Sequence, residues 1–275
     1  MLKRVITGVV IGCILLPMLY FSATWLFVGF IALLSCVAMV EMIGCLGQKK
    51  RLIETLPAYL LAIGTPVLER LVKPQTFFTL SFVLFFFYMF YLLCISMLSN
   101  RHYDFDEAAS LFTMTFYIVI GFDSILLIRD LEHGQYLFLL IFIGAFSTDI
   151  FAYFTGVLFG KHKLCPTISP KKTVEGAFGG VIFCILCFLL FGWITSKWFQ
   201  ITPNYLWIAL GGLLTSILAQ FGDLIFSSIK RKFAIKDFGN ILPGHGGICD
   251  RFDSILAVAP ILYMLTSMVP FLHLS

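Results

Sequence analysis

The sequence predicts an all-α polytopic membrane protein of about nine transmembrane helices, with its N-terminus in the cytoplasm. Hydrophobic residues make up 60% of the 275 residues and charged residues only 12%, whereas soluble domains average about 45–50% apolar and about 25% charged residues. The apolar residues form continuous runs and do not alternate with polar ones, which favours helices over the strands of a barrel. The basic residues form short clusters between these runs, a pattern that argues against nucleic-acid binding.

Nine apolar runs approach or exceed the roughly 20 residues that cross the hydrocarbon core. The predicted spans are 5–21, 24–45, 55–69, 76–98, 109–128, 135–159, 175–196, 205–229 and 254–272. The first is longer than a signal-peptide core and is interpreted as a membrane helix. The third is the shortest and contains Pro57 and Pro66. We expect one membrane domain, 1–275, in which 1–130 are N-terminal hydrophobic helices and 135–275 carry the catalytic helices and loops.

The distribution of Lys and Arg predicts the orientation. With the N-terminus in the cytoplasm, only Arg70, Lys73, Arg129 and Lys197 of the 19 basic residues fall in segments assigned to the outside. Cytoplasmic loops are the ones enriched in Lys and Arg. The bias supports both the orientation and the odd number of spans.

Two predicted cytoplasmic loops contain most of the unusual chemistry. The first, 160–176, reads G-K-H-K-L-C-P-T-I-S-P-K-K-T-V-E-G, and the second, 230–253, reads K-R-K-F-A-I-K-D-F-G-N-I-L-P-G-H-G-G-I-C-D-R-F-D. Both are longer than a simple connection between neighbouring helices requires. We therefore expect the functional site at this face of the membrane.

The helices that lead into these loops have polar stripes. The stripe before the second loop consists of Ser216, Gln220, Asp223, Ser227 and Lys230, whose spacing places them on one helical face. Such a stripe should face the bundle interior or a wet cavity. The helix before the first loop has a weaker stripe, in which Asp149 is followed at spacings of four, three and four by Tyr153, Gly156 and Gly160.

Asp149 and Asp223 each have two interpretations. A carboxylate within a span is costly, by about 3 kcal/mol on insertion scales, and is usually paired or functional. Either could form a buried ion pair, or either could bind a cation or line a substrate path. The two glycines of the weaker stripe could simply allow a neighbouring helix to approach closely.

Asp250 and Asp253 are predicted to open the last span. They could cap that helix, with Asp250 at the N-cap and Asp253 in the first turn. They could also bind metal or phosphate, because residues three apart share a helical face. Immediately before them, the turn 243–247 contains His245, Gly246 and Gly247, and its backbone N–H groups could hold phosphate oxygens.

Carboxylates beside many Lys and Arg residues at one membrane face indicate a polyphosphate bound with a divalent cation. Mg²⁺ suits this set because it needs only one or two protein carboxylates and completes its shell with phosphate and water. Since Asp223 lies within a span, the second substrate is expected to be lipid-borne. A lipid phosphate monoester, with a second pKa of about 6, could act as nucleophile without a general base.

The residues 227–253 resemble the signature of the CDP-diacylglycerol synthase (phosphatidate cytidylyltransferase) family. The motifs D-I-F-A-Y-F-T-G-V-L-F-G-K from Asp149 and I-S-P-K-K-T-V-E-G from Ile168 resemble that family's other marked region. The resemblance implies transfer of CMP from CTP to phosphatidic acid, giving CDP-diacylglycerol and pyrophosphate. It also implies a homodimer in the bacterial cytoplasmic (inner) membrane, with the active site facing the cytoplasm.

The resemblance also implies roles for individual residues. Asp223 and Asp250 would bind Mg²⁺, with a monovalent cation such as K⁺ as a further expectation. Asp223, Lys230, Asp250 and Asp253 would be catalytic. Nucleotide or lipid phosphate would meet Ser169, Lys171, Lys172 and Thr173, and the rest of the substrate pocket would comprise Asp149, Ser227, Arg231, Lys236, Asp237, His245, Gly246, Gly247 and Arg251. One departure is Phe226, at a position where the family usually has Glu.

Two alternatives remain open at this stage. A CTP-dependent polyprenol or lipid kinase would use similar groups, but its alcohol acceptor would need a base such as Asp149 or Asp223. A transporter of phosphorylated solutes is the other alternative. Transporters often contain inverted repeats and midplane sites, whereas this sequence shows no repeat and its polar residues gather at one face.

Overall fold

The computed structural model describes residues 13, 17–99, 102–199, 201–241, 244, 246–269 and 271–274. The helices within this part of the chain are α1 (Trp25–Cys45), α2 (Leu52–Leu71), α3 (Pro74–Leu98), α4 (Phe105–Arg129), α5 (Gly134–Leu137), α6 (Leu139–Phe159), α7 (Val174–Phe199), α8 (Tyr205–Lys232) and α9 (Cys249–Met268). The strands are β1 (Lys163–Cys165), β2 (Ser169–Thr173), β3 (Ile201–Pro203) and β4 (Leu272–Leu274).

The predicted fold class is confirmed: the protein is an all-α polytopic membrane protein. Eight helical segments of the described chain are long and apolar enough to cross a membrane, with α5 and α6 counted as one span. They correspond to the second through ninth predicted spans. Of the first predicted span, 5–21, the structure describes only residues 13 and 17–21, of which 13 and 17–20 are helical; the rest lies outside the described residues.

Several predicted spans have different boundaries in the structure, including the third and the last. The third, predicted as 55–69, is a full 20-residue helix that contains both Pro57 and Pro66. The last, predicted as 254–272, begins at Cys249 and ends at Met268. At its start, the Cys249 N–H donates a hydrogen bond to the carboxylate of Glu41 on α1.

Two short antiparallel strand pairs were not predicted. Strands β1 and β2 pair antiparallel, with Lys163 opposite Thr173, so the first loop has regular structure. Strands β3 and β4 also pair antiparallel, with Ile201 opposite Leu274. Strands of three to five residues are too short for a reliable alternating pattern, which explains why the sequence gave no signal for them.

The chain divides into two compact units. Unit 1 comprises 1–126 and 232–251, and unit 2 comprises 127–231 and 252–275. In unit 1, α1 packs on α2 and α2 on α3. The second loop thus groups with the N-terminal helices. The predicted single membrane domain, with its division into 1–130 and 135–275, stays a prediction.

In unit 2, α6 packs closely along α7, and glycines make this approach possible. A Cβ on Gly156 would lie 2.8 Å from Thr173 Oγ1, and a Cβ on Gly176 would lie 2.6 Å from the Ala152 carbonyl oxygen. Neither contact could be tolerated without movement. The close-approach interpretation is therefore confirmed for Gly156, whereas a Cβ on Gly160, at the C-cap of α6, would meet the Gly156 carbonyl and Thr173 and not a neighbouring helix.

Candidate active site

Unit 2 contains a polar cavity of about 520 Å³ beside the β1–β2 hairpin. Its walls come from α6, β1, β2, α7 and α8. The lining residues are Asp149, Ala152, Tyr153, Gly156, Val157, Gly160, Lys163, Leu164, Lys171, Lys172, Thr173, Gly176, Ala177, Gln220 and Asp223. Asp149, Lys171, Lys172, Thr173 and Asp223 were predicted from sequence, and the structure brings them together.

Asp223 pairs with a lysine of this cavity. Its Oδ2 lies 2.5 Å from Lys172 Nζ, and the two side chains are 27% and 24% exposed. The contact is an ion pair by distance, although Lys172 Nζ has no well-directed hydrogen bond. Ser227 donates a hydrogen bond of 3.1 Å to the other oxygen, Oδ1. The ion-pair interpretation of Asp223 is thus satisfied, and its cation-binding role stays a prediction.

The polar stripe on α8 faces neighbouring elements of unit 2, as predicted. Ser216 is fully buried and accepts a 2.9 Å hydrogen bond from Thr148 on α6. Gln220 donates to the Ala177 carbonyl on α7. Asp223 lies nine residues before the end of α8 at Lys232, a depth of about 14 Å at about 1.5 Å per residue.

Two further carboxylates belong to the same neighbourhood. Asp149 lines the cavity and is exposed there, so it is not a buried group. Asp253 lies within electrostatic range of Asp223, Asp149 and Lys230. The close packing of α8 on α9 helps to place Asp253, because a Cβ on Gly222 would lie 2.6 Å from its carbonyl oxygen.

The β1–β2 hairpin is held by Thr173 and Glu175, which are close to it in sequence, and by Arg231 at the end of α8. Thr173 Oγ1 accepts from the Gly176 N–H at the start of α7, so its hydroxyl caps a helix as well as facing the cavity. Glu175 accepts from the Lys161 N–H at 3.0 Å, and its Oε1 lies 2.6 Å from His162 Nδ1. Arg231 Nε donates to the Ile168 carbonyl at the hairpin turn.

Sequence reasoning missed Lys163 and Glu175 as members of this site. Lys163 lines the cavity from β1, but nothing distinguishes it in sequence from the neighbouring exposed lysines. Glu175 had a signal, since it is an acid in the first turn of a helix, where N–H groups lack partners. Ser169, by contrast, was predicted to meet phosphate and is not among the residues that line the cavity.

In unit 1, Asp250 anchors the second loop. Its Oδ2 accepts from the Phe238 N–H at 2.8 Å and from the Gly247 N–H at 3.0 Å. The N-cap assignment is wrong, because α9 begins at Cys249 and Asp250 is its second residue. Its contact three residues back is the one that the acidic residue of a capping box makes. Asp253 likewise lies inside α9 and not at its opening.

Glu41 on α1 is the residue that sequence reasoning missed most clearly. It is 5% exposed and accepts from the N–H groups of Ile248 and Cys249, at 3.0 and 2.9 Å. A lone acid in an otherwise apolar span was the available signal. Together with the Gly247–Asp250 bond, these contacts direct three N–H groups to carboxylates. The phosphate contact predicted for Gly247 therefore does not use its N–H in this structure.

The remaining predicted residues lie on or near the second loop. Arg231, Lys236, Asp237 and Arg251 are exposed, whereas Lys230 and Gly246 are partly buried. His245 lies outside the described residues. Phe226, at the position where Glu was expected, is fully buried, which is an environment that suits an aromatic ring better than a carboxylate.

The donor chemistry of the site fits Mg²⁺. Among the described residues, no group of three or more His, Cys, Asp or Glu side chains is arranged to hold a metal ion. Mg²⁺ does not require such a group, because it commonly uses one or two carboxylates together with substrate phosphates. Asp223 is a partly exposed carboxylate beside cationic side chains, and an arrangement of this kind suits a cation bound together with phosphate.

Comparison with known proteins gives the family. The sequence model of the cytidylyltransferase family matches residues 2–269. The chain belongs to the cytidylyltransferase family. A phosphatidate cytidylyltransferase of Bacillus subtilis (strain 168) is 34% identical over 277 residues, covering 98% of each chain. One from Staphylococcus aureus (strain COL) is 32% identical over 272 residues, covering 95% of this chain and 97% of the relative.

A third relative, a phosphatidate cytidylyltransferase of Staphylococcus epidermidis (strain RP62A), is 41% identical over 176 residues, 64% of this chain and 65% of its own. The family match extends through the N-terminal half, where the sequence alone showed only hydrophobic spans. The resemblance identified from 149–176 and 227–253 is therefore confirmed.

Proposed function

We propose that the protein transfers CMP from CTP to phosphatidic acid, forming CDP-diacylglycerol and pyrophosphate. The observation that carries this is a cavity in a cytidylyltransferase-family membrane protein where lysines and carboxylates meet at the end of membrane helices. Lys163, Lys171 and Lys172 supply positive charge, and Asp149 and Asp223 supply carboxylates. A triphosphate bound with a divalent cation matches this mixture of charges.

A lipid co-substrate is supported by the outer wall of the same cavity. Tyr153 and Val157 line it and are 68% and 66% exposed. Exposed apolar side chains on a membrane helix face lipid or another protein chain. The cavity thus borders an apolar surface from which a phosphate carried on two acyl chains could reach Lys171 and Lys172.

The proposed reaction needs little covalent assistance from the protein. A phosphate oxygen of phosphatidic acid forms a bond to the α-phosphorus of CTP, and the bond from that phosphorus to the bridging oxygen of the β-phosphate breaks. Pyrophosphate leaves with the electron pair. Because the lipid phosphate is mostly dianionic near neutral pH, given a second pKa of about 6, no side chain must remove a proton. Placement and neutralisation of charge are the tasks that remain.

We assign these tasks to residues within each unit. In unit 2, Lys172 and Lys171 would neutralise phosphate oxygens, while Lys230 and Asp253 would complete the charged surroundings of Asp223. Ser227 holds Asp223 in one orientation through its hydrogen bond. In unit 1, Asp250 is fixed by two backbone N–H groups.

For the metal we propose Mg²⁺, with Asp223 and Asp250 as its protein ligands. When bound, it would neutralise triphosphate charge and polarise the α-phosphoryl group. A monovalent cation such as K⁺ remains part of the proposal from the family resemblance. We further propose that the protein is a homodimer in the bacterial cytoplasmic membrane. We also propose that the site faces the cytoplasm, because the placement of Lys and Arg favours that orientation.

The test uses the purified full chain in detergent, with phosphatidic acid as sole added lipid. CTP is labelled at the α-phosphate in one reaction and at the γ-phosphate in another. We expect the α label in the lipid product, the γ label in pyrophosphate, and no reaction after Mg²⁺ is chelated. Appearance of the γ label in lipid would instead indicate the kinase. Turnover without sealed compartments would rule out a pure transporter, and absence of turnover would contradict the proposal.

A further inference from the structure

A buried carboxylate of the N-terminal half holds the second loop. Glu41 lies in α1, and its Oε1 and Oε2 accept hydrogen bonds from the N–H groups of Ile248 and Cys249. These residues are 207 and 208 positions away in sequence. The N–H groups at a helix start have no partner within the helix. Glu41 on α1 supplies the hydrogen-bond acceptors for two of them.

The loop is shaped to receive this carboxylate. A Cβ on either Gly239 or Gly247 would overlap the Glu41 carboxyl group, so both positions admit only glycine while Glu41 is in place. Cys249 adds a contact from its Sγ to the Ala38 carbonyl at 3.3 Å. The approach of both glycines shows that the backbone closes around Glu41 from two points of the loop.

Asp250 completes the arrangement from the loop's own side. Its Oδ2 accepts from Gly247, which also touches Glu41, and from Phe238, which precedes Gly239. The two carboxylates therefore bind consecutive N–H groups, Gly247 to Asp250 and then Ile248 and Cys249 to Glu41. Moving Glu41 would move the backbone to which the Asp250 side chain is bonded.

A carboxylate in an apolar helix is costly, yet two features offset the cost. Both oxygens accept charge-assisted hydrogen bonds, and the positive end of α9 lies against the charge. Within the described part of the chain, the hydrogen bonds that Glu41 accepts come from the N–H groups of Ile248 and Cys249. Both carboxylate oxygens accept hydrogen bonds from the backbone, which suits holding a loop better than binding a ligand.

We propose that Glu41 is a positioning residue for the cytidylyl transfer: it fixes the start of α9 and the glycine segment 246–247, and thereby fixes Asp250. It makes no contact with the reacting atoms. The predicted effect on catalysis rests on the proposed function. The anchoring of 238 and 247–249 does not depend on that function.

The experiment compares Glu41→Gln with Glu69→Gln. Both replace a buried carboxyl group of unit 1, 5% and 7% exposed respectively, but Glu41 accepts hydrogen bonds from the second loop, whereas Glu69 lies near Asp123 on α4. The readouts are amide hydrogen exchange across 230–255, kcat and the KM for each substrate, and thermal melting, all on the full chain in detergent.

For Glu41→Gln we expect exchange at 247–249 to rise by about tenfold or more, because an amide keeps only one acceptor oxygen. We expect kcat to fall by about tenfold, with the KM for phosphatidic acid within about twofold, as when an interaction realised at the reacting centre is lost. In the Asp250→Asn background, Glu41→Gln should lower kcat by less than about a further threefold, because the effects of the two side chains depend on each other. Glu69→Gln should leave exchange in 230–255 unchanged.

Unchanged exchange at 247–249 in Glu41→Gln would overturn the anchor even if the enzyme were inactive on CTP. Faster exchange throughout the chain in both variants would also overturn it, since the effect would then be general instability. Should Glu41→Gln fail to fold, Gly239→Ala displaces the same carboxyl group from the loop side and must give the same local exchange pattern. If wild-type makes no CDP-diacylglycerol, the proposed function fails, and the exchange result still tests the anchor.

Discussion

The two polar loops, 160–176 and 230–253, have similar chemistry but are supported in different ways. The first forms a β-hairpin that Thr173 and Glu175, within or next to it in sequence, hold locally, and Arg231 at the end of α8 adds one hydrogen bond to it. The second, in the described part of 233–248, contains neither helix nor multi-residue strand. Its ends are held by Asp250 and, from more than 200 residues away, by Glu41.

This difference has a consequence for mutation. A change in the first loop should disturb the hairpin and the adjacent cavity of unit 2, because its supports are local. A change in the second loop, or in α1, should reach Asp250 through the backbone it is bonded to. The hydrophobic N-terminal half is therefore part of the functional protein through at least one residue and is more than a membrane anchor.

The largest effects are expected from the two carboxylates assigned to the metal, one associated with each loop. Asp223→Asn and Asp250→Asn should each lower kcat by about 100-fold or more, as removal of a preorganised charge does. The matched control is Asp106→Asn at the exposed start of α4, which should retain wild-type rates. Activity near wild-type in either test variant would remove the metal assignment, and initial rates over a Mg²⁺ titration provide the measurement.

The next effect tests the cationic side of the cavity. Lys172→Gln should lower kcat/KM for CTP by roughly 10- to 30-fold, because the charge that pairs with Asp223 and would meet phosphate is lost. Lys161→Gln is the control, since Lys161 is exposed and does not line the cavity. Equal losses in the two variants would mean that Lys172 contributes only general positive charge, and raising the ionic strength would then abolish both effects.

Much of this site could be predicted because the stripe on α8 follows from helical periodicity alone. Ser216, Gln220, Asp223 and Ser227 all face neighbouring elements or each other, as their spacing indicates. Periodicity says which residues share a face. It does not say which residue of another segment they meet, so the Lys172–Asp223 pair could not be specified in advance.

The Glu41 contacts were beyond sequence reasoning for the same reason. A single acid in an apolar span predicts a buried partner, but an N–H group at a distant helix start leaves no mark in the side-chain sequence. For the same reason, the predicted start of α9 was wrong. Without Glu41, the first residues after the glycine turn read as loop, and Asp250 reads as an N-cap. The contact with Glu41 allows the chain to become helical at Cys249, so Asp250 falls inside the helix.

A smaller effect should separate local from remote support. Glu175→Gln removes half of the acceptor capacity that holds the Lys161 and His162 N–H groups, so exchange should rise in 161–173. We expect kcat/KM for CTP to fall by about three- to tenfold, with exchange at 247–249 unchanged. If both loops loosened together, the distinction between locally and remotely supported loops would be lost.

The smallest effect concerns the orientation of Asp223 alone. Ser227→Ala removes the 3.1 Å hydrogen bond to Oδ1 but leaves the ion pair with Lys172 intact. Because a neutral donor to a partly exposed carboxylate contributes about 1 kcal/mol, kcat should fall by only about two- to fivefold. Ser228→Ala is the control, since the adjacent hydroxyl is exposed. A loss approaching that of Asp223→Asn would mean that Ser227 itself meets substrate or metal, and a change in the Mg²⁺ concentration for half-maximal rate would distinguish these two roles.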